Sequence, residues 1–179
     1  MNVREGMLRQ PKSPFGVPTI VRDETTQAPS AMHEVVVRNQ FGDQTLLTGK
    51  RAIAVCVPSD AGGVPSASTI DHFRCYKARF KKGTRRVAAQ TVTLADQFET
   101  KAETITDKIR FCNPVDKNGE GIPDPTAHLT CYRLTDTSGI APFTPQNVAT
   151  HDQFGDLTLR VRPIAVLCAP SLKLSDVTH

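Results

Sequence analysis

The chain has 179 residues, of which 39% are hydrophobic, and its net charge of +4 permits but does not predict binding to polyanions. It is long enough for one large domain or several small ones. No stretch approaches the roughly 18 consecutive apolar residues of a membrane-spanning helix, and no nucleophile elbow, phosphate loop or dinucleotide fingerprint occurs, so neither a membrane span nor an enzyme is expected.

The N-terminal part of the chain is predicted to be an arm, residues 1–14, followed by a first β unit, residues 15–59. Short runs rich in Val and Ile, at 35–37 and 53–55, predict strands in this unit. It ends in a Cys-x-Pro motif that begins at Cys56. A connection rich in Gly, Pro and Ser then leads to the next unit.

The second predicted unit covers residues 72–115 and opens with a His-x-x-Cys-Tyr motif. Alternating and β-branched residues predict four strands in it, at 72–80, 90–98, 102–105 and 108–112. After another polar connection, a third unit is expected at residues 128–171, followed by a tail at 172–179.

The units are related by a fixed spacing. Cys56, Cys112 and Cys168 lie 56 residues apart, and the same spacing separates Cys75 from Cys131. Each copy also contains an Asn/Asp-Gln-Phe triplet, at 39–41, 96–98 and 152–154. The sequence therefore predicts an all-β protein of tandem small antiparallel β units, sandwich- or barrel-like, with about three copies of a roughly 56-residue repeat.

The first copy departs from this pattern. Counting back from its Phe41 places Pro18 where the other copies have the Cys of His-x-x-Cys-Tyr. Proline cannot donate a hydrogen bond to a β ladder, so this segment is at best an edge strand or a bulge. We therefore expect an incomplete first unit whose opening segment serves in assembly, the residues concerned being Pro18, Thr19, Ile20 and Val21.

The order His-x-x-Cys-Tyr, Asp-Gln-Phe and Cys-Asn-Pro-Val-Asp-Lys-Asn-Gly-Glu, the last at residues 112–120, resembles a cysteine-containing repeat domain of unknown function from secreted proteins of environmental bacteria. The resemblance covers about residues 35–171. It implies an extracellular repeat protein and brings no catalytic residues with it.

The five cysteines predict disulfides, because their spacing matches no zinc, thioredoxin-like or haem motif. Cys75 with Cys112 and Cys131 with Cys168 would close each regular unit and leave Cys56 unpaired. Cys56 with Cys75 and Cys112 with Cys131 would instead clasp the connections and leave Cys168 free. The first pairing is favoured because it links the odd Cys56 to the missing cysteine at Pro18. Disulfides indicate an extracellular or cell-surface location, although Met1 to Gly6 do not show the order of a secretory signal peptide.

Two surface sites are candidates for binding. The loop 116–124 has oxygen-bearing side chains at the spacing that opens a calcium loop, but it lacks the bidentate carboxylate at position twelve. Its candidate ligands are Asp116, Asn118, Glu120 and Asp124, and calcium is the one cofactor considered. A basic cluster follows the Cys75 strand and is a candidate polyanion site, although without interleaved aromatic residues nucleic acid is not the expected ligand. Its residues are Arg79, Lys81, Lys82, Arg85 and Arg86. The alternative in each case is a plain solvated turn.

Two functions are consistent with the sequence. The first is an extracellular structural protein, a homo-oligomer that forms a surface filament or layer, in which the N-terminal arm adds a strand to the incomplete first unit of a neighbour. The alternative for the arm is that it closes the first unit of its own chain. The second is a monomeric binding or adhesion module that uses the basic cluster or the Asp116 loop. His72 and His128, which share the repeat register, are expected to be structural, since no obvious acid or base partner shares that register.

Overall fold

The computed structural model describes residues 31–61 and 70–179. Within these residues it contains ten strands and no helix, so the all-β prediction is confirmed. The predicted arm and the Pro18–Val21 segment lie outside the described residues. The strands are β1 His33–Asn39, β2 Gly42–Cys56, β3 Asp60–Ala61, β4 Phe73–Phe80, β5 Gln90–Ala95, β6 Thr100–Pro114, β7 His128–Asp136, β8 Gln146–Asp152, β9 Gly155–Val161 and β10 Val166–Thr178.

Seven strands form one antiparallel sheet in the order β4-β2-β1-β10-β7-β6-β5. β4 also pairs with β6, so the pairings of β1, β2, β4, β6, β7 and β10 make a closed cycle of six strands. A smaller sheet has the order β3-β8-β9. Strands from different predicted units are thus direct neighbours, as in the β2–β4 and β6–β7 pairs, and the units share one sheet.

The two longest strands, β2 and β6, have 15 residues each and carry an irregularity at a similar place. The register shifts after Thr48 in β2 and after Thr106 in β6. Two separate strands predicted at 102–105 and 108–112 are therefore one strand with a bulge, which bends it without ending it. In the third copy the chain is interrupted between β9 and β10, where Pro163 cannot contribute a backbone donor.

The repeated Asn/Asp-Gln-Phe triplets form the turns of three hairpins. In each, the Asn or Asp side chain accepts a hydrogen bond from the backbone N–H of the Phe two residues later, at 2.7–2.9 Å. This local bond is typical of Asn and Asp in turns. It also explains why β5 ends at Ala95, earlier than the predicted strand at 90–98, since Asp96 takes up the backbone N–H groups of Phe98 and Glu99.

Apolar side chains are buried on both faces of the cycle of strands. One cluster contains Val35, Val37, Leu46, Ala78 and Phe111. A second contains three cysteines with Ala54 and Phe73. Phe111 and Cys112 are consecutive residues of β6, so they point to opposite faces, and both are at most 1% exposed. Burial on both faces stabilises the sheet by roughly 1.5–3 kcal/mol for each large apolar side chain.

Candidate functional site: a row of five cysteines

The five cysteines occupy five successive strands of the closed cycle. In spatial order these strands are β2, β4, β6, β7 and β10, and each carries one cysteine. Along that order the residues are Cys56, Cys75, Cys112, Cys131 and Cys168. Residues far apart in the chain therefore form a single row across the sheet.

The sulfurs alternate between bonded and non-bonded neighbours. The Sγ atoms of Cys75 and Cys112 are 2.03 Å apart and those of Cys131 and Cys168 are 2.10 Å apart, which places both pairs at disulfide-bond distance. Cys56 is a free thiol. These pairs are those of the first of the two pairings considered from the sequence.

The two non-bonded gaps in the row are short. The Sγ of Cys56 lies 3.9 Å from that of Cys75, and the Sγ of Cys112 lies 3.9 Å from that of Cys131. These contacts are the pairs of the second pairing. The sheet therefore brings the partners of both pairings close together.

Strand register explains the alternation. Cys75 lies directly opposite Cys112, and Cys131 directly opposite Cys168. Cys56 instead lies opposite Phe73, two residues from Cys75, and Cys112 lies two residues out of register with Cys131 in the same way. Direct and diagonal cross-strand neighbours both fall within side-chain reach in an antiparallel sheet.

Exposure differs sharply along the row. Cys75, Cys112 and Cys131 are at most 2% exposed and pack with Ala54 and Phe73. Cys56 is half-buried, and Cys168 is exposed. Burial raises the pKa of the Cys56 thiol, and the charge of Arg110 opposes this with a smaller effect. The thiol is therefore mostly protonated at neutral pH.

One edge of β2 lacks a neighbouring strand beside Cys56. On one side, residues 46–56 of β2 pair with β4, whereas on the other side only residues 42–47 pair, with β1. In the part of the chain that the structure describes, no strand pairs with residues 51–56 on that second side. β1 begins shortly before this open edge, where the backbone N–H of His33 donates to the Thr48 hydroxyl.

The candidate calcium loop is held by its own hydrogen bonds. Asp116 accepts one from the backbone of Gly121, and Asp124 accepts two from Thr126, which lower the pKa of Asp124. Glu120 forms an ion pair with Lys117. Across residues 31–61 and 70–179, no group of three or more His, Cys, Asp or Glu side chains is arranged to hold a metal ion. Calcium binding stays a prediction.

The basic cluster surrounds the turn after β4. Lys81 pairs with Glu34 at 2.7 Å, and its backbone N–H donates to Thr45. The other four side chains of the cluster, Arg79, Lys82, Arg85 and Arg86, are exposed. The turn therefore uses one basic residue to fasten itself to the sheet and presents the remaining charges to solvent.

The two histidines in repeat register have structural contacts. His128 is buried, stacks on Phe111 at 5.6 Å between ring centroids, and places Nδ1 2.9 Å from the carbonyl of Thr126. His72 lies 3.9 Å from Glu120. A structural role for both histidines stays a prediction.

A buried charged cluster on β6 and β7 was missed by the sequence analysis. Lys101 and Glu103 are at most 5% exposed, and the Lys101 Nζ lies 2.8 Å from Asp136 and 3.7 Å from Glu103. Among the residues that the structure describes, neither carboxylate oxygen of Glu103 has a hydrogen-bond partner, and burial raises the pKa of Glu103. Lys101, Glu103 and Ile105 lie at every second position of β6 and therefore on one face of the strand. Two charged residues on one face are equally typical of a solvent-exposed face, so the sequence pattern does not predict their burial.

A surface groove of about 340 Å³ lies on the smaller sheet and is lined by His151, Asp156 and Asp60 among others. His151 is 65% exposed and contacts Asp156 at 2.6 Å, and this hydrogen bond raises the pKa of His151. The groove is open and contains no serine or cysteine nucleophile.

Comparisons with known proteins return no match: no family model, curated protein or solved structure is similar to this chain. Within the described residues, no helix is long and apolar enough to cross a membrane. The resemblance to a secreted repeat domain therefore rests on the sequence motifs alone.

Proposed function

We propose that this chain is an extracellular structural protein that assembles by β-strand addition at the open edge of β2. The observation that carries the proposal is the edge of β2 at residues 51–56, where none of the described strands pairs on the side away from β4, and which ends at the free thiol of Cys56. An unpaired strand edge offers backbone donors and acceptors to another strand. Two disulfides are compatible with the oxidising conditions outside the cytosol.

The proposed occupant is the segment around Pro18 to Val21, supplied by a neighbouring copy. The repeat aligns Pro18 with Cys75, and it aligns Cys56 with Cys112. Cys75 lies directly opposite Cys112 in the sheet, so we expect Pro18 of the added strand to lie opposite Cys56. The 30 residues before Ala31 extend up to roughly 100 Å, enough to reach another molecule. Donation from copy to copy is a head-to-tail contact, which generates filaments when it does not close into a ring.

Crosslinking through an introduced thiol tests this register. We expect Pro18→Cys to form a disulfide with Cys56 of another copy, so that non-reducing electrophoresis shows a ladder of covalent oligomers. Thr19→Cys is the matched control, because successive residues of a strand point to opposite faces and its thiol would face away from Cys56. The ladder should disappear when Cys56→Ser is added.

The alternative outcomes separate the readings. A disulfide between the introduced thiol and Cys56 within one chain would show that the arm completes its own sheet, and the assembly proposal would then fail. Equal crosslinking by Pro18→Cys and Thr19→Cys would contradict the register. Light scattering of the native protein that shows only monomers, unchanged by deletion of residues 1–20, would also overturn assembly.

A second candidate function, binding of an acidic polysaccharide, is favoured by the four exposed basic side chains at the β4 turn. Retention on a sulfated-polysaccharide column should fall steeply with salt and should be reduced by Lys82→Glu combined with Arg86→Glu. The exposed Arg160 on β9 provides a control charge reversal away from the cluster. Equal loss of retention in Arg160→Glu would show that only net charge matters.

A further inference from the structure

The row of cysteines contains one thiol and two disulfides. From Cys56 to Cys168, each sulfur is bonded to, or in contact with, the cysteine sulfur of the neighbouring strand. The free Sγ of Cys56 is 3.9 Å from one end of the first disulfide, and the far end of that disulfide is 3.9 Å from the second. A thiolate beside a disulfide is the arrangement from which exchange proceeds. No two successive sulfurs between Cys56 and Cys131 are more than 3.9 Å apart.

We propose that these five cysteines form a thiol relay, in which the free thiol moves between Cys56 and Cys168 by two internal exchanges, and that the exposed Cys168 then reacts with disulfides outside the protein. This inference does not depend on strand addition. The disulfides present before and after the transfer are those of the first and the second pairing considered from the sequence.

Each step of the relay conserves bonds and electrons. The Cys56 thiolate attacks the Sγ of Cys75, a Cys56–Cys75 bond forms, and Cys112 leaves as a thiolate. Cys112 then attacks Cys131, a Cys112–Cys131 bond forms, and Cys168 leaves as a thiolate. The proton lost by Cys56 is returned to Cys168 through solvent, so both arrangements contain two disulfides and one thiol, and no oxidant is consumed.

The strand order supplies the direction of attack. β4 lies between β2 and β6, so Cys56 approaches Cys75 from the side opposite to its leaving partner Cys112. β6 lies between β4 and β7, so Cys112 meets Cys131 on the side away from Cys168 in the same way. In thiol–disulfide exchange the thiolate attacks a disulfide sulfur from the side opposite to the sulfur that leaves, as in other nucleophilic substitutions at sulfur.

Cys56 and Cys168, the two ends of the relay, differ in solvent exposure, so moving the thiol from one to the other changes which external disulfides it can reach. Cys56 is half-buried, so bulky reagents reach it poorly, whereas Cys168 is exposed on β10. A thiolate at Cys168 attacks a small external disulfide, forming a mixed disulfide and releasing one external thiolate. The intermediate places a thiolate on fully buried Cys112, so we expect transfer over minutes to hours, the range of uncatalysed disulfide rearrangement.

The experiment uses the full chain without added reductant, with oxidised glutathione as the probe. Trypsin cleavage sites separate all five cysteines, so disulfide-linked peptides and the glutathione adduct can be assigned by mass spectrometry after an acid quench in which a maleimide blocks the free thiols. We expect the adduct on the Cys168 peptide, together with Cys56–Cys75 and Cys112–Cys131 linkages. Raising the pH from about 7 to about 8 should accelerate the reaction about tenfold, because the thiolate fraction of a weakly acidic thiol grows in that proportion.

Three matched variants distinguish the relay from direct reaction. Cys56→Ser should keep the Cys75–Cys112 and Cys131–Cys168 bonds and should not react with the probe. Cys168→Ser should contain the Cys56–Cys75 and Cys112–Cys131 bonds with no free thiol. Cys112→Ser should contain the Cys56–Cys75 and Cys131–Cys168 bonds, which tests the first contact separately from the second.

Several results would overturn the relay. An adduct only on the Cys56 peptide of the native protein would show that the thiol does not move. A Cys168→Ser variant that retains Cys75–Cys112 with free thiols at Cys56 and Cys131 would have the same meaning. A rate of linkage change proportional to protein concentration would assign the exchange to collisions between molecules. If one variant fails to fold, as judged by circular dichroism, the native adduct position still decides.

Discussion

Removing a single buried hydroxyl, by Tyr132→Phe, should destabilise the closed cycle of strands measurably. Tyr132 is 1% exposed on β7, donates to Gln44 Oε1 at 2.8 Å and accepts from Asn39 Nδ2 at 2.7 Å. Gln44 lies on β2 and Asn39 at the end of β1, so this one hydroxyl joins strands of different predicted units. Burial raises the pKa of Tyr132, so the phenol stays neutral throughout ordinary pH.

The magnitude follows from what is left unpaired. Asn39 keeps a hydrogen bond to Ser171 Oγ at 3.1 Å, whereas Gln44 Oε1 loses its partner in a side chain only 3% exposed. A buried acceptor without a partner costs about 1–3 kcal/mol, so we expect a loss of about 2 kcal/mol. For a chain of this length that loss lowers Tm by roughly 4–8 °C.

Tyr76 is the natural control, since it occupies the equivalent position of the preceding copy. Its ring is half-buried on β4, and its hydroxyl has no hydrogen-bond partner among the residues described. Tyr76→Phe should therefore change the free energy of unfolding by no more than about 0.5 kcal/mol. Both variants are compared by urea denaturation and thermal melts followed by circular dichroism.

Equal destabilisation by Tyr132→Phe and Tyr76→Phe would refute the reasoning, since the hydrogen bonds would then contribute nothing. A second variant sharpens the test. Adding Gln44→Leu to Tyr132→Phe removes the orphaned acceptor and should recover part of the lost stability. If the double variant is less stable than the sum of the two single changes, the cost lies in packing instead.

Three further predictions concern the disulfides and the titrating groups. Replacing Cys75 and Cys112 together by serine releases a loop of sequence separation 37, which should lower the free energy of unfolding by about 4 kcal/mol in the chain-entropy model, and an unchanged urea midpoint would contradict this. Glu103→Gln should stabilise the protein by roughly 1–3 kcal/mol at pH 8, because it removes a buried carboxylate with no hydrogen-bond partner among the described residues, while Lys101 keeps its ion pair with Asp136. The pKa of Glu103 is raised in the folded state, so the native protein binds the carboxyl proton more tightly than the unfolded chain does. The free energy of unfolding therefore falls as the pH rises from the unfolded pKa through the folded pKa, and urea denaturation in acid should show no gain from Glu103→Gln. The imidazole of His151 should titrate by NMR at a higher pH than an ordinary histidine, because of its hydrogen bond to Asp156. The stabilisation from this contact is present below the unfolded pKa and is lost as the pH rises through the folded pKa. An unchanged titration midpoint in Asp156→Asn would contradict Asp156 as the cause.

Local features of the fold were predictable because they depend on residues close together in the chain. The Asn39, Asp96 and Asp152 turns follow from a side chain bonding to a backbone group two residues away. The runs rich in Val, Ile and Thr that became β1, the end of β2 and β5 needed only strand propensity. The positions of the cysteines, 56 residues apart, were equally visible, and they limited the pairings that respect the repeat to two.

The neighbours of each strand were settled only by the tertiary structure. Whether Cys75 bonds to Cys112 or to Cys56 depends on which strands lie beside β4 and in what register, and both are non-local properties. The same holds for Glu103, whose burial follows from the packing around β6, and for the closure of the cycle through β1 and β10. The sequence by itself determined a repeating set of cysteines, turns and strand-forming segments. The sheet determined that all five sulfurs lie in one row, because cross-strand contacts form between residues that the chain keeps far apart.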